Sequence, residues 1–303
     1  MKAPRLIVCA TDLQDGGDRA ILEAHAWAQR HNAAITFVHA IPETSRSHVL
    51  FPQLAQRSFN HLPALMGLAA DAVAGRVERL TARSRDDMDI RVDVGSPAGI
   101  IVSLAEELGA SLIVLGAVSS AETIGPLGSV ALRVVRHAHS PVLVVRSGER
   151  AGPILAASDL SDPAFPAIAA GAFLRDAVGG DLSVIHVTEL PAPAPIGPEA
   201  VVAGLGYAMS SAEYQALRDA AKDALLSAVA KEGVNGDCLL EEGIPAVAIV
   251  AAARRLKARL LVVGTEGRTG LRRMLLGSTA EQALRAAPCS VLVVRLHSHG
   301  DPS

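Results

Sequence analysis

The sequence predicts an α/β protein made of two tandem five-stranded parallel-sheet sandwiches, Rossmann-like in type. Three observations predict it. Short apolar runs alternate with stretches of helical period, as a parallel sheet with crossover helices requires. The runs are apolar throughout instead of alternating, so the strands must be covered on both faces. The chain also repeats itself. Asp12 matches Asp159 at an offset of 147, Gly95-Ser96-Pro97 matches Gly243-Ile244-Pro245 at 148, Gly116 matches Gly264 at 148, and Gly128 matches Gly277 at 149. An offset sustained with only one- or two-residue slips marks a duplicated domain, not a short solenoid repeat. The 303 residues therefore divide into domains over 1–147 and 152–297, each of a common size for an independent core.

In the first half, Leu6–Ala10 is a buried strand, and Ala20–Arg30 is a helix with Ile21, Ala24 and Ala28 on its inner side. Ile35–Ala40 is the second strand and Ala69–Arg83 a helix. Ile90–Val94 is the third strand, followed by a helix over Ala98–Leu108 with Ile101, Leu104 and Leu108 inward. Leu112–Gly116, a helix over Ser129–His137 and the strand Val142–Arg146 complete the unit. The second half repeats the strands as Ile154–Ala157, Leu182–Val187, Cys238–Glu241, Leu260–Gly264 and Val291–Arg295. Residues 146–152 read as the linker. Segments 42–65 and 188–212 each follow a second strand and read as long loops or lids.

Half of the residues are hydrophobic but only 3% are aromatic, so the core must be built of Ala, Val, Leu and Ile. A net charge of -3 offers no electrostatic footprint for nucleic acid. Cys9, Cys238 and Cys289 lie far apart with no C-x-x-C, which fits reduced thiols in a cytosolic protein. The apolar run Leu6–Ala10 is too short for a signal peptide, and 190–209 carries too many prolines to span a membrane.

Chemistry concentrates in the second half, where Gly264, Gly267, Gly277 and Ser278 form the pattern G-x2-G-x9-G-S. The first glycine ends a buried strand, where the lack of a Cβ lets backbone approach a ligand. Gly277-Ser278 then opens a helix, whose free N–H groups and positive dipole end suit phosphate oxygens. The pattern is neither Walker A nor G-x-G-x-x-G. In the first half the same region runs from Gly116 to Gly128-Ser129, but Ser119 stands at the middle glycine and Val130 stands where the second half has Thr279.

Taken together, Val8–Asp12, Leu155–Ser161, His186-Val187, Gly243-Ile244-Pro245 and the glycine pattern resemble the universal stress protein family over both halves, as a tandem member. The resemblance implies the five-stranded sandwich and, for the second half, adenine-nucleotide binding by Ser158, Asp159, Val187, Val263, Gly264, Gly267, Arg268, Gly277, Ser278 and Thr279. Asp159 and Gly264 would flank the ribose, and Val187 would meet the adenine through its backbone. Gly267, Gly277, Ser278 and Thr279 would take the phosphates. Thr11, Asp12, Gly116, Gly128 and Ser129 are the weaker first-half counterparts. The implied cofactor is ATP, or else ADP or AMP, with Mg2+ held by the phosphates and no metal site of protein ligands alone.

Simpler roles remain open at these positions. Asp159 would serve equally as a helix N-cap, and Ser278 with Glu281 spells a capping box. Arg268, Arg272 and Arg273 suit either outer phosphates or a solvated loop. His39 and His186, each ending a second strand, read as packed structural residues. His137/His139 and His297/His299 lack a third zinc ligand, and Ser103, Ser119 and Ser120 lack a nucleophile elbow. No general base or Walker-B aspartate supports an ATP-using enzyme. A regulatory ATP-binding protein is therefore expected ahead of a nucleotide-free interaction module. The fifth strands, 142–146 and 291–295, should join the two halves as an intramolecular pseudo-dimer; a homodimer of chains is a further expectation.

Overall fold

In the computed structural model, which describes residues 3–42, 52–117, 127–148, 151–161, 166–189, 210–265 and 276–295 (over 52–61 the backbone only), the buried apolar runs become strands in one continuous sheet. The strands are β1 (Leu6–Ala10), β2 (Ala34–Pro42), β3 (Asp89–Gly95), β4 (Leu112–Gly116) and β5 (Val142–Val145), then β6 (Ile154–Ala157), β7 (Leu182–Thr188), β8 (Asp237–Glu242), β9 (Leu260–Gly264) and β10 (Ser290–Val294). Their order is β3-β2-β1-β4-β5-β10-β9-β6-β7-β8. Each half is parallel within itself, and the halves meet at the antiparallel pair β5–β10, as the repeat predicted.

The register of that pair follows from the repeat. Leu292 lies opposite Leu143, Val291 opposite Val144, and Val293 opposite Val142. A two-fold relation thus runs through Leu143 and Leu292, which are equivalent residues of the two copies, as an isologous contact requires. Because side chains alternate along a strand, Val142, Val144, Val291 and Val293 face one core while Leu143, Val145, Leu292 and Val294 face the other. Both cores therefore continue across the junction. Arg146, expected in the linker, is instead 4% exposed at this junction.

Eight helices cover the faces among the described residues: α1 (Asp15–His31), α2 (Pro52–Thr81), α3 (Pro97–Glu107), α4 (Ser129–His137), α5 (Pro166–Val178), α6 (Ser211–Lys231), α7 (Pro245–Arg255) and α8 (Ser278–Ala286). α1, α2, α5 and α6 pack on one face, and α3, α4, α7 and α8 on the other. Ile21, Ala24 and Ala28 are buried as their spacing predicted.

Three expectations need correction. α1 starts at Asp15, five residues earlier than Ala20, with Asp15 and Asp18 in its first turn, where carboxylates favour the helix dipole. α2 reaches back to Pro52, so 52–65 is helix and not loop; Pro63 sits inside it, forfeiting one backbone bond without ending the helix. Its end at Thr81 is set by Ala82 in the left-handed region (φ 55). The other expected loop, 188–212, shrinks from both sides, since β7 ends at Thr188 and α6 begins at Ser211; 190–209 lies outside the described residues.

Candidate functional site

In each half the strand order reverses between the first and fourth strands, at β1/β4 and at β6/β9. Ligands of open α/β sheets sit at the carboxyl ends of such strands. In the second half that edge carries Ser158 and Asp159 after β6, Val187 near the end of β7, Val263-Gly264 at the end of β9, and Gly277–Thr279 at the start of α8. The tertiary fold brings these sequence-predicted positions to one end of the sheet. Gly267, Arg268, Arg272 and Arg273 lie outside the described residues, as do Ser119, Ser120, His297 and His299.

The turn after β6 holds itself rigidly. The Leu160 amide donates to Ser158 Oγ at 3.1 Å, and the Ser161 amide and hydroxyl donate to Asp159 Oδ1 at 3.1 and 2.6 Å. Leu160 itself is left-handed (φ 60), a conformation costly for a branched side chain and commonly retained where function or packing demands it. The first half repeats the turn: Leu13 has φ 62, its amide meets Thr11 Oγ1 at 3.1 Å, and the Gln14 amide meets Asp12 Oδ1 at 3.0 Å. Asp159 thus shapes the turn after β6; residues 162–165, between that turn and α5, lie outside the described residues.

His186 braces this turn from β7. Its Nδ1 donates to the Ser158 carbonyl at 2.9 Å, and His39 makes the matching bond to the Thr11 carbonyl at 2.9 Å. That bond requires a proton on Nδ1. The histidines are packed residues, as expected, but their specific job of fixing the carbonyl beside each aspartate was not foreseen. The signal was present in their equivalent positions.

At the other side of the edge, the Gly277 amide donates to the Thr265 carbonyl at 2.9 Å, which ties the start of α8 to the end of β9. The first intrahelical bond is Glu281 N–H to the Gly277 carbonyl at 2.9 Å, so the amides of Ser278, Thr279 and Ala280 precede the ladder and point out of the helix end. Gly277 is the N-cap, with φ -58 and ψ 146, open to any residue. Space is what it supplies, because a β-carbon there would sit 3.3 Å from the Thr265 carbonyl oxygen.

The expected capping box at Ser278 is not formed. Its N-cap position is taken by Gly277, and the Glu281 carboxylate binds Arg136 (2.7 Å) and Arg285 (3.0 Å) instead. Both guanidiniums, Arg136 foremost, hold the Glu281 carboxyl below its usual range. A complete capping box forms at Ser210 and Glu213, starting α6.

The first-half edge is packed by its own chain. A β-carbon on Gly116 would collide with the Gly16 backbone carbonyl, and one on Gly16 would lie 2.6 Å from the Ala117 carbonyl oxygen. A β-carbon on Gly17 would lie 2.5 Å from Thr11 Oγ1 and 2.8 Å from Asp12 Oδ1. Gly116 is thereby explained by the close approach of α1 alone. Gly128 and Ser129 do start α4, the counterpart of α8.

Among the described residues no cluster of His, Cys, Asp and Glu suits a metal ion, and no helix is long and apolar enough to cross a membrane. His139 pairs with Glu106 at 2.6 Å on the surface. All three cysteines are free; burial pushes the Cys9 thiol well above its ordinary value and the Cys289 thiol up to about 11, so neither is a ready nucleophile.

The model of the universal stress protein family matches residues 4–146 and again 151–295. The chain is 37% identical over 142 residues to a universal stress protein of Thermus aquaticus, a match covering 47% of this chain and 97% of that one. It is 56% identical over 54 residues to a universal stress protein of Methanocaldococcus jannaschii, which covers 18% of this chain and 32% of that relative. Among solved structures, a functionally unknown protein of Pseudomonas aeruginosa PAO1 shares the fold at a TM-score of 0.66 and 21% identity, over 97% of this chain and 93% of that one.

Proposed function

The chain belongs to the universal stress protein family, and we propose that it acts as a regulatory protein whose second half binds one adenine nucleotide. One observation carries this reading: the start of α8, with outward amides at Ser278–Ala280 and no side chain on Gly277, stands at the same sheet edge as the rigid Ser158–Asp159 turn. Amides at a helix N-terminus fit phosphate oxygens, and a carboxylate held at the end of the first strand fits ribose hydroxyls. ATP is the proposed ligand, ADP or AMP the variants of it, with Mg2+ shared among phosphate oxygens and not held by a protein cage. Gly267 and Arg268 would complete the cradle.

The first half is proposed to bind no nucleotide. Its Gly16 backbone already occupies the space that Gly116 leaves, and Ser119 replaces the middle glycine of the pattern. We assign the chain no fast catalytic turnover, and a cytoplasmic site of action. Mass spectrometry of the small molecules released from purified, denatured protein tests the reading directly. Adenine nucleotide at about one per chain supports it. A protein that releases none, and that takes up none when ATP is added, would be the nucleotide-free interaction module instead.

A further inference from the structure

We propose that Arg136, in the first half, is a positioning residue for the phosphate cradle of the second half, acting through Glu281. The inference rests on the reading of the α8 N-terminus as that cradle. Arg136 Nη2 lies 2.7 and 2.9 Å from the two carboxylate oxygens of Glu281. Glu281 follows directly on the three outward amides and closes the first bond of the helix. A carboxylate there suits an empty helix end, but it repels an anionic ligand on the same amides. Arg136 and Arg285 offset that charge by holding the carboxylate between them.

The repeat shows why the partner must come from the other half. Glu281 stands four residues after the N-cap Gly277, and its counterpart, four after Gly128, is the buried Leu132. Arg285 therefore finds Glu281 one turn back on its own helix, whereas Arg136 finds Leu132 there and reaches across the junction. The acid and its two bases exist only beneath the helix that completes the glycine pattern. The far end of α8 is gripped from the same side, since Arg146 Nη2 donates to the carbonyls of Leu284 at 2.8 Å and Arg285 at 3.3 Å. The degenerate half thus supplies the frame and half of the counter-charge for its partner's cradle.

The test is a calorimetric series of ATP, ADP, AMP and adenosine against wild type, Arg136→Met, Glu281→Gln and the double variant, with thermal melts alongside. A uniform structural effect would move all four ligands alike. Loss of counter-charge instead scales with ligand charge: Arg136→Met should weaken ATP on the order of tenfold, AMP less and adenosine hardly at all, as expected for one positive charge fewer near an anion in a medium between bulk water and the protein surface. Glu281→Gln should restore ATP affinity in the double variant, and should tighten it when made alone. Equal losses for ATP and adenosine, no loss in Arg136→Met, or no relief by Glu281→Gln would each overturn the inference while leaving the cradle in place. A wild type that binds none of the four would overturn the cradle and the inference together.

Discussion

Leu143 and Leu292 face each other across the antiparallel pair β5–β10, and they are the same residue of the two copies. Each is at most 1% exposed, on the core face that also holds Trp27, Ile168 and Leu174. The two halves therefore share one sheet and one core across the junction, and should unfold together. Leu143→Ala or Leu292→Ala should each cost about 2–5 kcal/mol, the range for emptying a buried leucine site. Calorimetry should give a single transition for wild type. Two well-separated wild-type transitions would show that the junction contributes little.

Arg146 and Arg295 end the repeated Val-Leu-Val-Val-Arg strings and are exchanged across the same axis. Arg146 donates to the last carbonyls of α8, while Arg295 Nη2 donates to the Val135 and Arg136 carbonyls of α4 at 2.7 and 3.0 Å. Each places a cation at a helix C-terminus, where it is favourable. Arg146→Met should cost about 1.5–3 kcal/mol, as expected for losing charged hydrogen bonds in a buried setting. Arg295→Met, at a half-buried position, should cost less. Lysine at 146 should restore part of that stability, because a single nitrogen, Nη2, makes both carbonyl bonds and an ammonium can also donate twice. Denaturant titration of the three variants ranks them.

Acidification should loosen the junction on its other face. His31, in the last turn of α1, stacks on Phe173 of α5 with ring centroids 5.4 Å apart, and among the described residues its buried Nε2 has no hydrogen-bond partner, nor has His25 Nδ1. Burial, and then Arg30 for His31 and Arg83 for His25, lowers both imidazoles below their ordinary value of 6.5. A base whose folded-state value is depressed takes its proton first in the unfolded chain. Stability should therefore be full above about pH 6.5 and fall as the pH drops below it. His31→Phe keeps the stack and should flatten the slope of unfolding free energy between pH 7.5 and 5.5. An unchanged slope in that variant would remove His31 from the account.

Much of this architecture was legible because nearly every strand is buried on both faces, and an apolar run announces itself without context. Leu6–Ala10, Leu112–Gly116, Ile154–Ala157 and Leu260–Gly264 match to the residue. Helix ends were less legible, since contacts far along the chain decide them. The first turn of α1 carries two glycines, poor helix formers, yet Gly16 is needed where α1 meets Ala117. The motif S-x-x-E occurs at both Ser210 and Ser278, but Gly277 takes the N-cap of α8 and arginines hold the Glu281 carboxylate, so of the two only Ser210 becomes a cap. Strand ends bearing Asp159 and Gly264 could be placed from the pattern alone. The Arg136–Glu281 bridge could not, because it exists only once β5 and β10 pair.

Gly277→Val should abolish nucleotide binding in a calorimetric titration that gives a stoichiometry near one for wild type. Even a methyl at 277 presses on the Thr265 carbonyl oxygen at 3.3 Å, and valine adds two more carbons beside the amides of α8. The bond from the Gly277 amide to Thr265 would be strained with it. Unchanged binding would place the ligand elsewhere.

Bound ATP should persist instead of turning over. Phosphoryl transfer requires a positioned nucleophile or water and stabilisation of the leaving charge, and kinases that supply these reach roughly 1–100 per second. At the described edge of the second half, the polar groups include backbone amides, the hydroxyls of Ser158, Ser278 and Thr279, an Asp159 carboxylate already engaged with Ser161, and His186, whose Nδ1 is engaged with the Ser158 carbonyl. None of these is arranged to activate water. ATP should then behave as a stabilising ligand, adding about 2.7 kcal/mol at a hundredfold excess over its dissociation constant. The melting temperature should rise with ATP, and Gly267→Ser, which copies Ser119 of the first half, should blunt that rise. Single-turnover measurement of phosphate release settles the point: hydrolysis orders of magnitude slower than a kinase fits a signalling ligand. Steady release at kinase-like rates, lost in Gly267→Ser, would make the protein an enzyme.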